Sequence, residues 1–392
     1  MHIVHLTPYY APAYAFGGVP RAIEGLATAL IARGHRVSVL TTDAHTHQQR
    51  QPGPLHTIRE GVSVWRVPNR LYALRRFNLS TPEGLRRVAA RVLADADLLH
   101  LHEFRTLENI LVAPLAASRG LPVVLSPHGT LAPDAGRGTL KRGWDALLSP
   151  RVARHIDAVT ALTQHEADEV RDLWPRWGLP VPTIRVIANG IDPQQFASLP
   201  DAAPFRARFD LGSAPIVLYL GRLHPRKGIT ELVAAWEHVR VPGARLVLAG
   251  PDEGALTQLG PLPADRITVT GYLDGEARLQ ALAAADMFVL PALAGEGLSL
   301  SILEALAAGL PVVLSPACHL PEVAAADAGI ITAPQPETLA AAITDLLLDA
   351  ERRHRMGQAA RALVQQQFTW SAVGAAAEAE YAQLAARSSA RS

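Results

Sequence analysis

The segment Gly221-Arg222-Leu223-His224-Pro225-Arg226-Lys227-Gly228 sets two glycines and three cations between an apolar run, Ile216–Leu220, and a helical stretch that begins near Ile229. Arg and Lys held at the end of a strand supply the compact positive charge that a diphosphate needs, above all where a leaving group gains negative charge. Lys227 stands out because only two of the 37 Lys and Arg residues are lysine. A solvated basic loop is the plain alternative. A second segment, Gly295-Glu296-Gly297-Leu298-Ser299-Leu300-Ser301-Ile302-Leu303-Glu304, follows the run Met287–Leu290. Glu296 sits in a glycine-flanked loop, and Glu304 lies about a turn into an apolar helix that ends at Gly309. Carboxylates accept two hydrogen bonds in a fixed fork, which suits sugar and ribose hydroxyls. Two carboxylates at this spacing are also compatible with a glycosidase acid/base pair.

Two further segments belong to the first half. In Ser126-Pro127-His128-Gly129-Thr130, the histidine at a strand end would point into a cleft, as a polar contact or proton-handling group near a sugar. A lone histidine is as readily structural. Gly17-Gly18-Val19-Pro20 precedes a long helix, where glycines let a ligand approach the backbone and the helix start offers free N–H groups to an anion. The spacing is not that of a dinucleotide-binding fingerprint, and a tight turn explains the pair equally well. Asn189-Gly190-Ile191-Asp192 and Gly271-Tyr272-Leu273-Asp274 are weaker signals, the first of them a turn before anything else.

What positions these segments is an alternation of short apolar runs with longer amphipathic ones. Strands are expected at Ile3–Leu6, Val37–Thr41, Val62–Val67, Leu98–Leu101, Val123–Ser126, Ala158–Leu162 and Ile184–Ile187. The second half repeats the pattern at Ile216–Leu220, Leu246–Ala249, Ile267–Thr270, Met287–Leu290 and Val312–Leu314. Continuously apolar strands separated by helices imply parallel sheets covered on both faces, hence an α/β chain of two doubly wound domains. At 392 residues the chain is too long for one ordinary core. Pro193, Pro200 and Pro204 mark the joint, giving domains at 1–192 and 204–369, with a last helix over 370–387 and a frayed stretch at 388–392. Ligands of such sheets bind beyond the carboxyl ends of the strands, where all four candidate segments fall.

Composition narrows the class. Hydrophobic residues at 49% and charged residues at 19% fit a packed globular protein. A single cysteine, Cys318, excludes an internal disulfide and fits a reducing compartment. No signal peptide and no run long enough to span a bilayer is evident, so a cytoplasmic protein is expected. Residues 1–190 hold 22 basic and 15 acidic side chains, a balance of +7, and the remaining 15 and 21 give −6. The clusters Arg70, Arg75, Arg76 and Arg86, Arg87, Arg91 leave open a peripheral contact with anionic lipid at the inner membrane face, as does Leu140–Arg154 with Trp144. Solvated helix faces are the competing reading. Without aromatic residues interleaved among the cations, nucleic acid is discounted.

Taken in order, the segments resemble the retaining glycosyltransferases of family 4, which have the GT-B fold of two Rossmann-like domains facing across a cleft. The resemblance runs over nearly the whole chain. It rests on Gly17-Gly18 followed by Leu26-Ala27, Leu30, Arg33-Gly34-His35 and Val37, and on Asn189-Gly190-Ile191-Asp192. In the second half it rests on Gly221-Arg222-Leu223 with Lys227-Gly228, and on Glu296 and Glu304 with Ala305, Gly309 and Pro311-Val312. The resemblance implies that Arg222 and Lys227 hold the donor diphosphate, Glu304 the ribose and Glu296 the transferred sugar. It implies that Gly17 and Gly18 lie beside the phosphate, His128 beside the donor sugar, and Asn189, Gly221, Gly297, Leu298 and Ser299 around the donor. Many relatives carry an aromatic residue where this chain has Gly297-Leu298-Ser299, and the run Gly129-Thr130-Leu131 after His128 resembles enzymes that build surface polysaccharides.

The expected reaction is transfer of a sugar from a UDP- or GDP-sugar to an acceptor hydroxyl, on a sugar or a lipid-linked sugar, with anomeric configuration kept. The leaving diphosphate itself takes the acceptor proton, so the protein's task is alignment and charge neutralisation, with no cofactor and no divalent metal required. No Asp-x-Asp or clustered His/Cys pattern stands in a loop. The rival readings are a nucleotide-sugar epimerase of the same fold and a catalytically silent nucleotide-sugar-binding scaffold.

Overall fold

The computed structural model describes residues 1–75, 79–131, 138–294 and 296–389. Arg76 of the basic cluster, Gly295 of the acidic loop and the last three residues of the chain lie outside the described residues. Two compact units result: Met1–Gly190 with Trp370–Ser392, and Ile191–Thr369.

The first unit is built on strands β1 (His2–Leu6), β2 (Arg36–Thr42), β3 (His56–Arg59), β4 (Val62–Val67), β5 (Leu98–His102), β6 (Val123–Ser126), β7 (Ala158–Ala161) and β8 (Thr183–Val186). They form one sheet in the order β3-β4-β2-β1-β5-β6-β7-β8. All neighbours are parallel except β3 and β4, which run antiparallel at the edge and depart from the all-parallel expectation. The central strands β1, β5 and β6 are buried along their whole length, because helices cover both faces. The helix Val19–Ala32 turns Ala22, Ile23, Ala27 and Leu30 inward, the 3.6-residue spacing of one apolar face. The C-terminal helix Trp370–Ser389 packs on it, adding Ala377, Tyr381 and Leu384 to the same core. Glycine is required at that contact: a Cβ on Gly25 would lie 2.1 Å, and one on Gly190 2.6 Å, from the Trp370 ring.

The second unit carries β9 (Ile216–Leu220), β10 (Arg245–Ala249), β11 (Ile267–Gly271), β12 (Met287–Leu290), β13 (Val312–Leu314) and β14 (Gly329–Ile331), all parallel, in the order β11-β10-β9-β12-β13-β14. In both units the order reverses beside the first strand: β1 lies between β2 and β5, and β9 between β10 and β12. Chain connections leave in opposite directions there and open a crevice at the carboxyl ends of those strands.

The basic clusters need one correction. Arg75 is fully buried and donates to the carbonyls of Gln49 and Asn69, so it is a structural tie and presents no charge to a surface. Arg70 pairs with Glu83, while Arg86, Arg87 and Arg91 are exposed on the helix Leu85–Val92. No helix among the described residues is long and apolar enough to cross a membrane.

Candidate active site

In the second unit, the loop leaving β9 is stitched to the loops leaving β10 and β12. The Gly221 and Leu223 N–H groups donate to the carbonyls of Ala249 (2.9 Å) and Pro251 (2.8 Å), and the Leu293 N–H donates to the Arg226 carbonyl at 2.8 Å. Gly228 closes the turn with φ of +72°, and a Cβ there would lie 2.0 Å from the Pro291 carbonyl oxygen. The sequence places glycine at this point because the backbone of the next loop leaves no room for anything else. The Arg222–Lys227 loop and the Glu296 loop are therefore one assembly.

All its charges but Arg226 are drawn into ion pairs. Lys227 Nζ donates to Glu296, with only 18% and 8% of the two side chains exposed. Arg222 donates to Glu253 at 2.9 Å, both partners being about a third exposed. Glu304, buried on the helix Leu300–Ala308, accepts from Arg278 of the helix Gly275–Ala284. Arg226 is half-buried, its Nε and one Nη have no partner among the described residues, and burial together with neighbouring Arg222 pushes its pKa down. Among the described residues the helix Leu300–Ala308 starts without a side-chain cap or an acidic residue in its first turn, which leaves the N–H groups of Leu300 and Ser301 for an anion, that of Ile302 being taken by the Ser299 carbonyl. Gly297 is half-buried and Leu298 buried beside it, and Ser299, the residue before the helix, has its Oγ 3.0 Å from that of Ser301. Sequence reasoning expected Arg222, Lys227, Glu296 and Glu304. It missed Glu253 and Arg278, which hold two of them, and left Arg226 unassigned although it lies in the same motif.

The first unit contains the other expected residues. Gly17 has φ of +107° and Gly18 caps the helix Val19–Ala32, so the pair forms a turn at a helix start. His128 follows β6, Asn189 is buried near the end of the unit, and both line a small cavity with His102, Ser126, Thr160 and Trp370. The His128 loop is held by Glu166, whose carboxylate accepts from the N–H groups of Gly129 (2.5 Å) and Leu162 (2.7 Å), and which burial pushes up to about 7.

Behind His128 stands a cluster that sequence reasoning missed. His5 Nδ1 lies 2.8 Å from His102 Nε2, and His102 Nδ1 lies 2.9 Å from His128 Nε2. His100 packs against them, tied to Tyr381 OH at 2.7 Å and Ser126 Oγ at 2.8 Å. Burial lowers the pKa of all four, His5 to about 3 and His128 to about 4, so the rings are neutral at pH 7. His5, His100 and His102 each bring one nitrogen within 4.8 Å of the others, a spacing open to a metal ion. The signal was His100-x-His102, two residues apart on one strand and so on one face.

The profile for "Glycosyltransferase Family 4" matches residues 16–195, and that for "Glycosyl transferases group 1" matches residues 205–363. A glycogen synthase of Mycobacterium tuberculosis is 30% identical, with 97% of this chain and 94% of that protein covered. A GDP-mannose-dependent alpha-(1-6)-phosphatidylinositol monomannoside mannosyltransferase of the same species is 31% identical, over 73% of this chain and 76% of the relative. Among solved structures, sucrose-phosphate synthase of Thermosynechococcus elongatus superposes with a TM-score of 0.76 at 23% identity, covering 98% and 99% of the two chains. Anabaena HepE in complex with UDP-glucose gives 0.73 at 21% identity, covering both chains fully. With both profiles matched in order and the two-sheet fold shared across full length, the chain belongs to glycosyltransferase family 4 and is a glycosyltransferase of the GT-B type.

Proposed function

We propose that the second unit binds a UDP- or GDP-sugar and that the enzyme transfers the sugar to an acceptor hydroxyl with retention of configuration, without a divalent metal. The observation that carries this reading is the Lys227–Glu296 pair at the carboxyl ends of β9 and β12. A diphosphate entering there exchanges partners: it takes over Lys227 and Arg222 from Glu296 and Glu253, and Glu296 turns to the hydroxyls of the sugar. The unpartnered N–H groups of Arg226 and the uncapped helix at Leu300 add donors to the same anion. Glu304, held by Arg278, has a second oxygen for the ribose.

The acceptor oxygen forms a bond to the anomeric carbon as the bond from that carbon to the β-phosphate oxygen breaks. The acceptor proton passes to the leaving diphosphate on the same face, which keeps the configuration. Cations and backbone N–H groups stabilise the charge that grows on the diphosphate, the term that usually contributes most. His128 serves the acceptor side. Mannosyltransferases on phosphatidylinositol among the relatives, and the exposed Arg86, Arg87 and Arg91, favour a glycolipid or surface-polysaccharide acceptor reached at an anionic membrane.

Differential scanning calorimetry with EDTA present tests the reading. UDP, GDP and their sugars are added in turn, and one nucleoside diphosphate series is expected to raise the melting temperature by mass action. The anomeric coupling of the NMR signal of the product then reports retention. No shift with any nucleoside diphosphate, or a shift only after Mg²⁺ or Mn²⁺ is restored, overturns the metal-free donor site.

A further inference from the structure

The chain His5–His102–His128 consists of three neutral rings joined by two hydrogen bonds, so its protons can be counted. A neutral imidazole carries one N–H, and each ring–ring contact must contain one proton. The two contacts therefore point the same way. In one arrangement His128 Nε2–H donates to His102, His102 Nε2–H donates to His5, and His5 is left with its proton on Nε2. In the other, His5 Nδ1–H donates to His102, His102 Nδ1–H donates to His128, and His128 carries its own proton on Nδ1. At the enclosed end of the chain the two arrangements differ in whether His5 Nε2 carries a proton. His5 Nε2 is enclosed and has no hydrogen-bond partner among the described residues. The first arrangement strands an N–H donor there, whereas the second leaves a bare lone pair; among buried backbone groups the orphaned N–H is the rarer, and the ring follows the same preference.

We propose that His5 and His102 are positioning residues that fix the tautomer of His128, so that its Nδ1–H acts as a hydrogen-bond donor toward a sugar oxygen and the ring is not a proton acceptor in the transfer. The register of the sheet builds this in. His5 lies opposite His100 across β1 and β5, His102 follows two residues later on the same face, and His128 begins the turn after β6. His100 is outside the relay because both its nitrogens are taken by Tyr381 and Ser126. The same occupancy argues against a metal: of the six ring nitrogens in the trio of His5, His100 and His102, only His5 Nε2 is free of a hydrogen bond. The relay rests on the proposed function only in what His128 does with its donor; the tautomer itself does not.

The test is nitrogen NMR of the full chain labelled with ¹⁵N-histidine, resonances being assigned by single substitutions. Wild type is expected to show His128 and His102 protonated on Nδ1. By the same rule His5→Leu, which leaves His102 Nε2 facing carbon, should keep His128 in the Nδ1–H form, whereas His5→Asp, whose carboxylate can only accept from His102 Nε2–H, should reverse the chain and move His128 to the Nε2–H form. In transfer assays His5→Asp should lower kcat about 10- to 100-fold, the scale on which groups that orient a metal-binding histidine act, with donor KM nearly unchanged. An Nε2–H tautomer for His128 in the wild-type protein overturns the proposal, and this reading needs no variant to fold. So does an unchanged tautomer in His5→Asp, or elemental analysis finding a stoichiometric metal that His5→Leu loses. A tautomer that moves while transfer does not would uphold the relay and sink the role of His128 in catalysis.

Discussion

Replacing Lys227 by Met separates what the cation does for the fold from what it does for the ligand. The side chains of Lys227 and Glu296 are 18% and 8% exposed. Removing one partner of a buried pair strands the other charge, at a cost of 3–5 kcal/mol; some solvent reaches Lys227, so about 3 kcal/mol is expected. For a unit of this size each kcal/mol moves the melting temperature by 2–4 °C, which puts Lys227→Met roughly 6–12 °C below wild type in that transition. The double variant Lys227→Met with Glu296→Gln strands no charge and should return to within about 1 kcal/mol of wild type. Transfer behaves differently. Loss of one donor at a developing charge lowers kcat by about 10²–10³, and the double variant cannot recover it. Calorimetry and initial rates on the same three proteins decide the matter. A double variant as unstable as Lys227→Met would show that the pair is not the buried unit described, and one that regained transfer would show that Lys227 does not act on the donor.

Four further outcomes are expected. Gly228→Ala, with its positive φ and a Cβ 2.0 Å from a carbonyl oxygen, should destabilise by more than about 2 kcal/mol, whereas Gly243→Ala, at φ of +71° with nothing within 4 Å, should cost about 1 kcal/mol in urea melts. Glu253→Gln should tighten nucleoside diphosphate binding a few-fold in titration calorimetry, because a pair with Arg222 about a third exposed opposes the ligand by no more than about 1 kcal/mol. His5 and His128 have folded pKa values, about 3 and about 4, below their ordinary 6.5, so the unfolded chain binds more protons between those limits and stability of the first unit should fall as pH drops from 6.5 toward 4. Glu108 runs the other way: burial raises it to about 7, so its contribution is present below pH 4.5 and lost as pH rises to 7, and Glu108→Gln should flatten that slope in melts across pH.

The parallel strands were legible because buried strands are apolar from end to end: β9, β12 and β13 begin and end where their hydrophobic runs do. β3 was not legible, since His56-Thr57-Ile58-Arg59 is an edge strand with one neighbour and no apolar run. β14, Gly329–Ile331, is too short to rise above helix–loop background. Within the site, the position of each segment followed from the rule that loops after strands carry ligands, and Lys227 and Glu296 do meet. Their neighbours Glu253 and Arg278 did not announce themselves, because an ion pair between residues 26 or 31 apart is set by how elements pack and leaves no local pattern. The histidine chain lies between these cases. His100 and His102 share a face by spacing alone, but only the pairing of β1 with β5 brings His5 to them.

The chain leaves the first unit after Gly190 and re-enters it at Trp370. Residues 191–369 are thus an insert, contiguous in sequence, while the unit that hosts it is discontinuous. On the ribosome the host cannot complete its core until the insert has already been made, since Ala377, Tyr381 and Leu384 arrive last, and with Tyr381 comes the hydroxyl that ties His100. Vectorial synthesis therefore favours an order of maturation in which the inserted unit stands ready before the half that contains His128 is sealed.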